Sequence, residues 1–272
     1  MKNAVIAVSL VLIAAAASAQ DWAKQRLEAS PRHREWVKVK SGERTVSAFV
    51  VSPEVKKKAP AVVVIHEIFG MTDWVQLLAD ELAETGVIAI APDLLSGVTL
   101  APGDANAAGK AIRDLPPDQI TADLNAVADY VSKLPAANGK VAVAGFCWGG
   151  TQSFRFATNR PSLAAAFVFY GSGPDSADAI AAIKAPVYGF YAGNDARIGA
   201  TIPKTQELMK AAGKTYDIVT YEGAGHGFMR AGDTMMTPPA ADAEQKVKDA
   251  YAANRKARDA AWVRWKELLK KL

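Results

Sequence analysis

The sequence contains a single cysteine, Cys147, among 272 residues. An internal disulfide is therefore excluded, and the thiol has to be a buried free group, an intermolecular link or a reactive group. Only three histidines are present. No second histidine or cysteine stands at ligand spacing to His66 or Glu67, so no metal site is predicted.

Phosphate-binding and nucleic-acid-binding patterns are also lacking. The glycines of "GFCWGG" (residues 145–150) follow an apolar run but form neither G-x-G-x-x-G nor G-K-[ST], so no cofactor is predicted. The formal net charge is only +4 at pH 7, and the basic residues are scattered apart from residues 56–58 and the C-terminal "KELLKKL". Scattered charge favours solvated surfaces over a nucleic-acid partner.

Long apolar runs are missing except at the N-terminus. Lys2 precedes an apolar stretch over residues 4–17, which is followed by the small residues Ser18 and Ala19. This pattern is typical of a secretory signal peptide over residues 1–19. A retained membrane anchor is the alternative, but about 14 apolar residues are fewer than the roughly 20 of a membrane span. We therefore expect a periplasmic or secreted protein without membrane association after cleavage.

The remaining chain, residues 20–272, is predicted to form a single α/β domain, because 50% of the residues in the full sequence are hydrophobic and can bury one large core. Two alternating stretches around Ser41-Gly42 predict an antiparallel hairpin. After it, apolar runs such as "APAVVVIHE" (residues 59–67) alternate with helical patterns. This alternation predicts a mainly parallel sheet with helices on both faces.

Two segments stand apart from this alternation. The Pro- and Gly-rich residues 96–117 are predicted to form a long loop over one end of the sheet. Residues 240–270 are predicted to form one long amphipathic helix, whose Trp262 and Trp265 pack on the domain or cover a contact between subunits.

Side chains capable of chemistry follow the ends of the predicted strands. Open parallel sheets place their sites at the carboxyl ends of the strands. The residues found there are Glu67, Asp93, Cys147, Tyr170, Asp195 and His226.

Cys147 is the candidate nucleophile. It occupies the central position of a G-x-Nu-x-G pattern, with cysteine where a serine hydrolase has serine. Gly145 and Gly149 suit a strand that turns sharply into a helix, and the helix N-terminus is expected to lower the pKa of the thiol. An inert buried cysteine is the alternative. The order of strand, glycine turn and helix favours the nucleophile.

His226 is the candidate general base, because it lies in a glycine loop after the last predicted strand, where a core role is disfavoured. His33 is expected to be exposed, and His66 to be structural.

Asp195 is the candidate for the acid that orients His226. It follows the strand pattern "PVYGFYAG" (residues 186–193), whereas Asp175 is the main rival and Asp93 is expected to fix a loop. The resulting chain order of nucleophile, acid and histidine is typical of α/β-hydrolases.

From about Pro60 to Arg230 the sequence resembles the dienelactone hydrolase family (carboxymethylenebutenolidases), a cysteine-dependent branch of the α/β-hydrolases. The resemblance rests on "HEIFG" (residues 66–70), "APDL" (91–94), "GFCWGG" (145–150) and "GAGHGF" (223–228), with Arg230 four residues after the histidine. It implies an α/β-hydrolase fold and a triad of Cys147, His226 and Asp195.

The resemblance also implies roles for other residues. Glu67 would interact with the resting thiol and take part in its activation, and the backbone amides of Ile68 and Trp148 would form an oxyanion hole. Arg230 would bind a substrate carboxylate. The family's second carboxylate-binding arginine, shortly after "PDL", is missing here: Leu95, Ser96 and Gly97 follow, with no arginine before Arg113.

Together these features predict a hydrolase that cleaves a small-molecule ester or lactone through an acyl-enzyme on Cys147. A carboxylesterase for uncharged or cell-envelope esters is the alternative among enzymes. A non-catalytic binding protein on a hydrolase scaffold is the alternative of another class, which the complete set of Glu67, Cys147, Asp195 and His226 disfavours. No partner other than the substrate is predicted, and no oligomeric state.

Overall fold

The structure, a computed structural model, describes residues 23–101, 103–231 and 239–272. The predicted signal peptide, residues 1–19, lies outside the described residues. Within the described ranges, no helix combines the length and the apolar character needed to cross a membrane.

The described chain contains an eight-stranded sheet in the order β1-β2-β4-β3-β5-β6-β7-β8. The strands are β1 (Arg34–Ser41), β2 (Arg44–Val51), β3 (Ala59–Ile65), β4 (Ile88–Asp93), β5 (Ala137–Phe146), β6 (Ala166–Phe169), β7 (Val187–Ala192) and β8 (Tyr216–Tyr221). β1 and β2 form the predicted antiparallel hairpin, and β2 pairs antiparallel with β4. From β3 to β8 all neighbouring strands are parallel, which confirms the predicted mainly parallel sheet.

Helices cover both faces of this sheet. They are α1 (Asp73–Ala83), α2 (Ala105–Arg113), α3 (Pro117–Ser132), α4 (Trp148–Asn159), α5 (Ala177–Ala182), α6 (Ala196–Gly199), α7 (Ile202–Ala211) and α8 (Gln245–Leu269), with a 3₁₀ turn at Phe228–Arg230 and a short helix over residues 23–28. Consecutive residues of β3 enter opposite cores: Val62 and Val64 pack with α1 and α8, whereas Val63 and Ile65 pack with α3 and α4. Burial on both faces explains the continuous apolar runs of the sequence.

The prediction of a long loop over residues 96–117 is wrong, because the segment contains α2. The side chain of Asp104 caps this helix by accepting a hydrogen bond of 2.9 Å from the Ala107 backbone N–H. Ala108 and Ile112 are buried together with Leu95, and Trp148 packs against this small cluster. Local capping and a few apolar contacts are therefore enough to order the middle of the segment.

The C-terminal helix begins at Gln245 rather than at residue 240. Its Trp265 is fully buried, with its ring centroid 6.0 Å from that of Phe146 and 4.8 Å from that of Phe169. Trp262 is also buried. Both tryptophans pack on the sheet, so they belong to the core beneath the strands that end at the candidate site.

Candidate active site

Cys147 occupies a sharp turn between β5 and α4. Its φ of 57° and ψ of −117° lie where L-residues are rare, which costs on the order of 1–3 kcal/mol. A Cβ on Gly145 would lie 1.9 Å from the carbonyl oxygen of Gly149, and one on Gly149 would lie 2.4 Å from that of His66. Only glycine fits at these two positions, as the G-x-Nu-x-G pattern requires.

His226 and Asp195 are hydrogen-bonded to each other. Nδ1 of His226 binds Oδ2 of Asp195, whose Oδ1 accepts a bond of 3.2 Å from the backbone N–H of Ile198. Among the described residues, Nε2 of His226 is buried and has no hydrogen-bond partner. An imidazole that is oriented through Nδ1 and free at Nε2 is arranged to exchange a proton at Nε2.

The other histidines and acids named from the sequence lie elsewhere. His66 is buried; its Nδ1 bonds the carbonyl of Glu67 at 2.8 Å, and its Nε2 accepts a bond of 3.3 Å from the Leu94 N–H. Burial lowers the pKa of His66, so its neutral ring holds two loops together. Asp93 accepts from the Leu95 N–H at 3.1 Å, while Asp175 and His33 are exposed.

Glu67 is a buried carboxylate whose charge is balanced by Arg230. Its Oε2 lies 3.3 Å from Nε of Arg230, and the Arg230 guanidinium also lies over the Phe69 ring at 5.5 Å. Burial raises the pKa of Glu67, and the positive charge of Arg230 opposes that rise. The protonation of Glu67 therefore depends on whether the Arg230 guanidinium is paired with it.

The pKa of the Cys147 thiol is raised, first by burial and then by the charge of Glu67. The amide of Trp148 and the charges of Arg197 and Arg230 lower the thiol pKa, but they do not outweigh those two effects. The expected lowering by the helix N-terminus is thus present only as a minor contribution. The thiol is protonated at rest, which also protects it from oxidation.

Ile68 lies in the loop after β3, and Trp148 is the first residue of α4, directly after Cys147. Among the described residues, neither backbone N–H donates a hydrogen bond to another backbone carbonyl outside a regular element. The Trp148 N–H instead acts on the Cys147 thiol as a hydrogen-bond donor and lowers its pKa. The oxyanion hole of these two amides stays a prediction.

Three residues at the site were not assigned roles from the sequence. Tyr170 is fully buried at a φ of 40°, its ring lies edge-on to His226 at 5.0 Å, and burial together with Glu67 raises its pKa. Arg197 is exposed on α6, two residues after Asp195. Leu95 follows the "PDL" segment and is buried against Gly70. A signal for Arg197 was its position two residues after the candidate acid.

Comparisons with known proteins identify the family of the chain. The family model for the dienelactone hydrolase family matches residues 46–272. The chain belongs to the dienelactone hydrolase family. The match extends beyond the span of 60–230 expected from the motifs and includes most of β2 and all of α8.

Relatives and solved structures place the chain within this family. A carboxymethylenebutenolidase homologue from Methylorubrum extorquens is 32% identical over 206 residues, 71% of each chain, and one from Saccharolobus solfataricus is 30% identical over 239 residues, 75% of this chain and 92% of that protein. The crystal structure of a dienelactone hydrolase homologue from Klebsiella pneumoniae superimposes with a TM-score of 0.72 at 26% identity, covering 89% of this chain and 99% of that one. This member of the dienelactone hydrolase family is therefore an ester-bond hydrolase with an α/β-hydrolase fold.

We expect Glu67→Gln to make Cys147 more reactive in the absence of substrate. Removing the carboxylate lowers the pKa of the thiol and leaves the charge of Arg230 free to favour the thiolate, so alkylation by iodoacetamide near neutral pH should become several-fold faster. Glu207→Gln, which removes an exposed carboxylate on α7, should leave the alkylation rate unchanged. A slower or unchanged rate in Glu67→Gln would contradict the electrostatic role of Glu67.

Proposed function

We propose that the protein hydrolyses an ester or lactone with Cys147 as nucleophile, His226 as base and Asp195 as the residue that orients His226. The observation that carries this proposal is the hydrogen bond between His226 and Asp195, which leaves Nε2 of His226 buried and without a partner among the described residues. His226 and Cys147 both follow the carboxyl ends of parallel strands, and therefore lie at the same end of the sheet. Membership of an ester-hydrolase family supports catalysis over the alternative of a binding protein on a hydrolase scaffold.

In the proposed acylation step, the thiol proton moves to Nε2 of His226 as Sγ forms a bond to the substrate carbonyl carbon. The carbonyl oxygen takes up the negative charge, and the N–H groups of Ile68 and Trp148 stabilise it. When the carbon–oxygen bond to the alcohol breaks, His226 returns the proton to the leaving oxygen. The products of this step are the alcohol and a thioester on Cys147.

In the deacylation step, His226 removes a proton from water, and the resulting hydroxide attacks the thioester carbonyl. The same two amides stabilise the second oxyanion, and the sulfur leaves as it regains the proton from His226. The carboxylic acid is released and the resting thiol is restored.

Glu67 is the proposed link between substrate binding and activation of the thiol. Its charge opposes the thiolate at rest, and that charge is itself held by Arg230 at 3.3 Å. A substrate anion that pairs with Arg230 weakens the interaction of Arg230 with Glu67. The pKa of the buried Glu67 carboxylate then rises. Once protonated, Glu67 no longer opposes thiolate formation, so the nucleophile becomes reactive when substrate is bound.

Replacing Cys147 tests the nucleophile directly. Cys147→Ala is expected to lower kcat for a chromogenic ester by at least about a thousandfold, because only the oxyanion hole and substrate binding remain. His226→Gln should still acylate slowly and should accumulate a thioester that adds the acyl mass to the intact protein. Full activity in Cys147→Ala, or an acyl adduct on another residue, would refute the assignment.

The proposed substrate carries an anionic group as well as an apolar part. Arg230 and Arg197 supply positive charge near the sulfur, since both act on the Cys147 thiol. After "PDL", where the resemblance to the family implies an arginine, Leu95 is buried, with Leu100 packed against the same cluster. We propose that the anion is held on the Arg197 and Arg230 side only. The alternative, an uncharged or cell-envelope ester, would gain nothing from these two cations.

Paired substrates measure this preference. For an aryl ester with a free carboxylate on its acyl chain, Arg197→Gln should raise KM about three- to fivefold, as expected for an exposed charge contact worth up to about 1 kcal/mol. Arg230→Gln should have a larger effect, about tenfold or more, because its guanidinium is partly desolvated. For the corresponding neutral methyl ester, Arg197→Gln should leave KM unchanged. Lys210→Gln, which removes an exposed charge on α7, should leave KM unchanged for both esters. Equal effects on both esters would exclude recognition of an anion.

We also propose that the protein is exported to the periplasm or secreted, on the strength of the signal-like residues 1–19. Expressed in a bacterium with its own N-terminus, the protein should be recovered outside the cytoplasm with the mass of a chain that starts at Gln20. Ala17→Leu, which removes a small residue of the A-x-A pattern, should leave the precursor uncut. An intact N-terminus on a cytoplasmic protein would refute export.

A further inference from the structure

The loop that carries His226 is poor in side chains that could hold it in place. In "GAGHGF" (residues 223–228), glycine precedes and follows the histidine, and Gly223 and Gly227 have φ values of 74° and 80°. Glycine in these conformations adds freedom to the unfolded chain and no packing to the folded one. The position of His226 therefore has to be fixed by contacts from other segments.

One set of contacts comes from the residue before the proposed acid. The backbone N–H of Asn194 donates to the carbonyl of Ala224 at 2.8 Å, and its side-chain Nδ2 donates to the carbonyl of Gly223 at 3.0 Å. These bonds join the Asp195 turn to the first half of the histidine loop. They do not reach Gly225, the residue next to His226.

The second set comes from the C-terminal helix. Oδ1 of Asn254, on α8, accepts a hydrogen bond of 2.7 Å from the backbone N–H of Gly225. The neighbouring Ala253 lies against Gly223, where an added Cβ would be 3.2 Å from that of Ala253. The peptide next to the histidine is thus held by a side chain that is 29 residues away in the sequence.

α8 is well suited to serve as a fixed support. One turn after Asn254, Arg258 donates to Glu81 of α1 at 2.9 Å, and further along Arg264 pairs with Asp217 of β8 at 2.9 Å. Trp265, on the same helix, is fully buried beneath the sheet. Because ion pairs and core packing both hold the helix, the Asn254 side chain has a defined position relative to the carboxyl ends of the strands.

We propose that Asn254 is a positioning residue for His226: its hydrogen bond to Gly225 fixes the imidazole relative to Cys147 and couples the C-terminal helix to catalysis. This inference rests on the proposed role of His226 as the base. Asn254 and Asn194 hold the histidine loop from two different elements, so that the orientation of His226 depends on both α8 and the Asp195 turn. Asn254 acts through Gly225 and touches none of the reacting groups.

Loss of this bond should reduce catalysis more than stability. Without an acceptor, the Gly225 N–H has to find water or shift, and the glycines on either side of His226 allow the ring to follow. Displacement of a catalytic group by about 1 Å can cost on the order of a hundredfold in rate. A smaller shift with part of the loop still held by Asn194 should lower kcat about tenfold, with little change in KM.

Three variants test the proposal. Asn254→Leu keeps the size of the side chain but removes the acceptor, Asn254→Asp restores an acceptor oxygen, and Lys256→Ala alters an exposed position on the same helix. The readouts are kcat and KM for an ester, the thermal midpoint, and the low-field proton resonance of the His226–Asp195 bond, which is assigned by its loss in His226→Gln. Asn254→Leu should lower kcat and shift or broaden that resonance, whereas Asn254→Asp should recover most of the rate and Lys256→Ala should match the wild type.

The resonance separates failure of this proposal from failure of the proposed function, because it needs no substrate. If Cys147→Ala remains active but Asn254→Leu still moves the resonance, the positioning role stands and the triad assignment falls. Wild-type kcat and an unchanged resonance in Asn254→Leu would overturn the proposal. Equal losses of rate and thermal midpoint in Asn254→Leu and Asn254→Asp would also overturn it, since they would indicate a purely structural role.

Discussion

Close backbone packing around Cys147 is the constraint on which the rest of the site depends. A Cβ on Gly150 would lie 2.4 Å from the Phe169 carbonyl oxygen, and one on Gly149 would lie equally close to the Ile65 carbonyl oxygen. The start of α4 is thereby pressed against the ends of β3 and β6. This contact brings together the residues that follow three strands, namely Glu67, Cys147 and Tyr170. The strained backbone of Cys147 persists because neighbouring elements leave it no other conformation.

The same packing places several ionisable groups close together in a buried position, where the charge of one changes the pKa of its neighbours. Glu67 is buried beside a thiol and next to the hydroxyl of Tyr170, and its charge makes ionisation of both groups less favourable. Arg230 supplies the opposing charge at 3.3 Å from the carboxylate. A buried pair of this kind contributes little net stability. Arg230 nevertheless acts on the charge of Glu67, because it opposes the rise in the Glu67 pKa that burial causes.

Much of this arrangement could be predicted from the sequence wherever its physical cause is local. Apolar runs identified the buried parallel strands, and the glycines around Cys147 identified the sharp turn, because both requirements act on neighbouring residues. The proximity of Asp195 to His226 followed from the rule that parallel strands present their carboxyl ends at one edge. α2 was missed although Asp104 caps it, because the proline and glycine content of its surroundings suggested a loop. The bond between Asn254 and Gly225 joins distant segments and leaves no local pattern.

The two halves of the site are therefore fixed by different kinds of contact. The Cys147 turn is held by backbone atoms that touch backbone atoms, so almost any side chain added at Gly145 or Gly149 would disrupt the fold itself. The His226 loop is held by the backbone bond between Asn194 and Ala224 and also by the side chains of Asn194 and Asn254, which can be exchanged without filling a space that backbone occupies. Substitutions at Asn194 or Asn254 can therefore change the geometry of the His226 loop without a steric conflict with backbone, whereas Gly145 and Gly149 cannot take a side chain without displacing backbone.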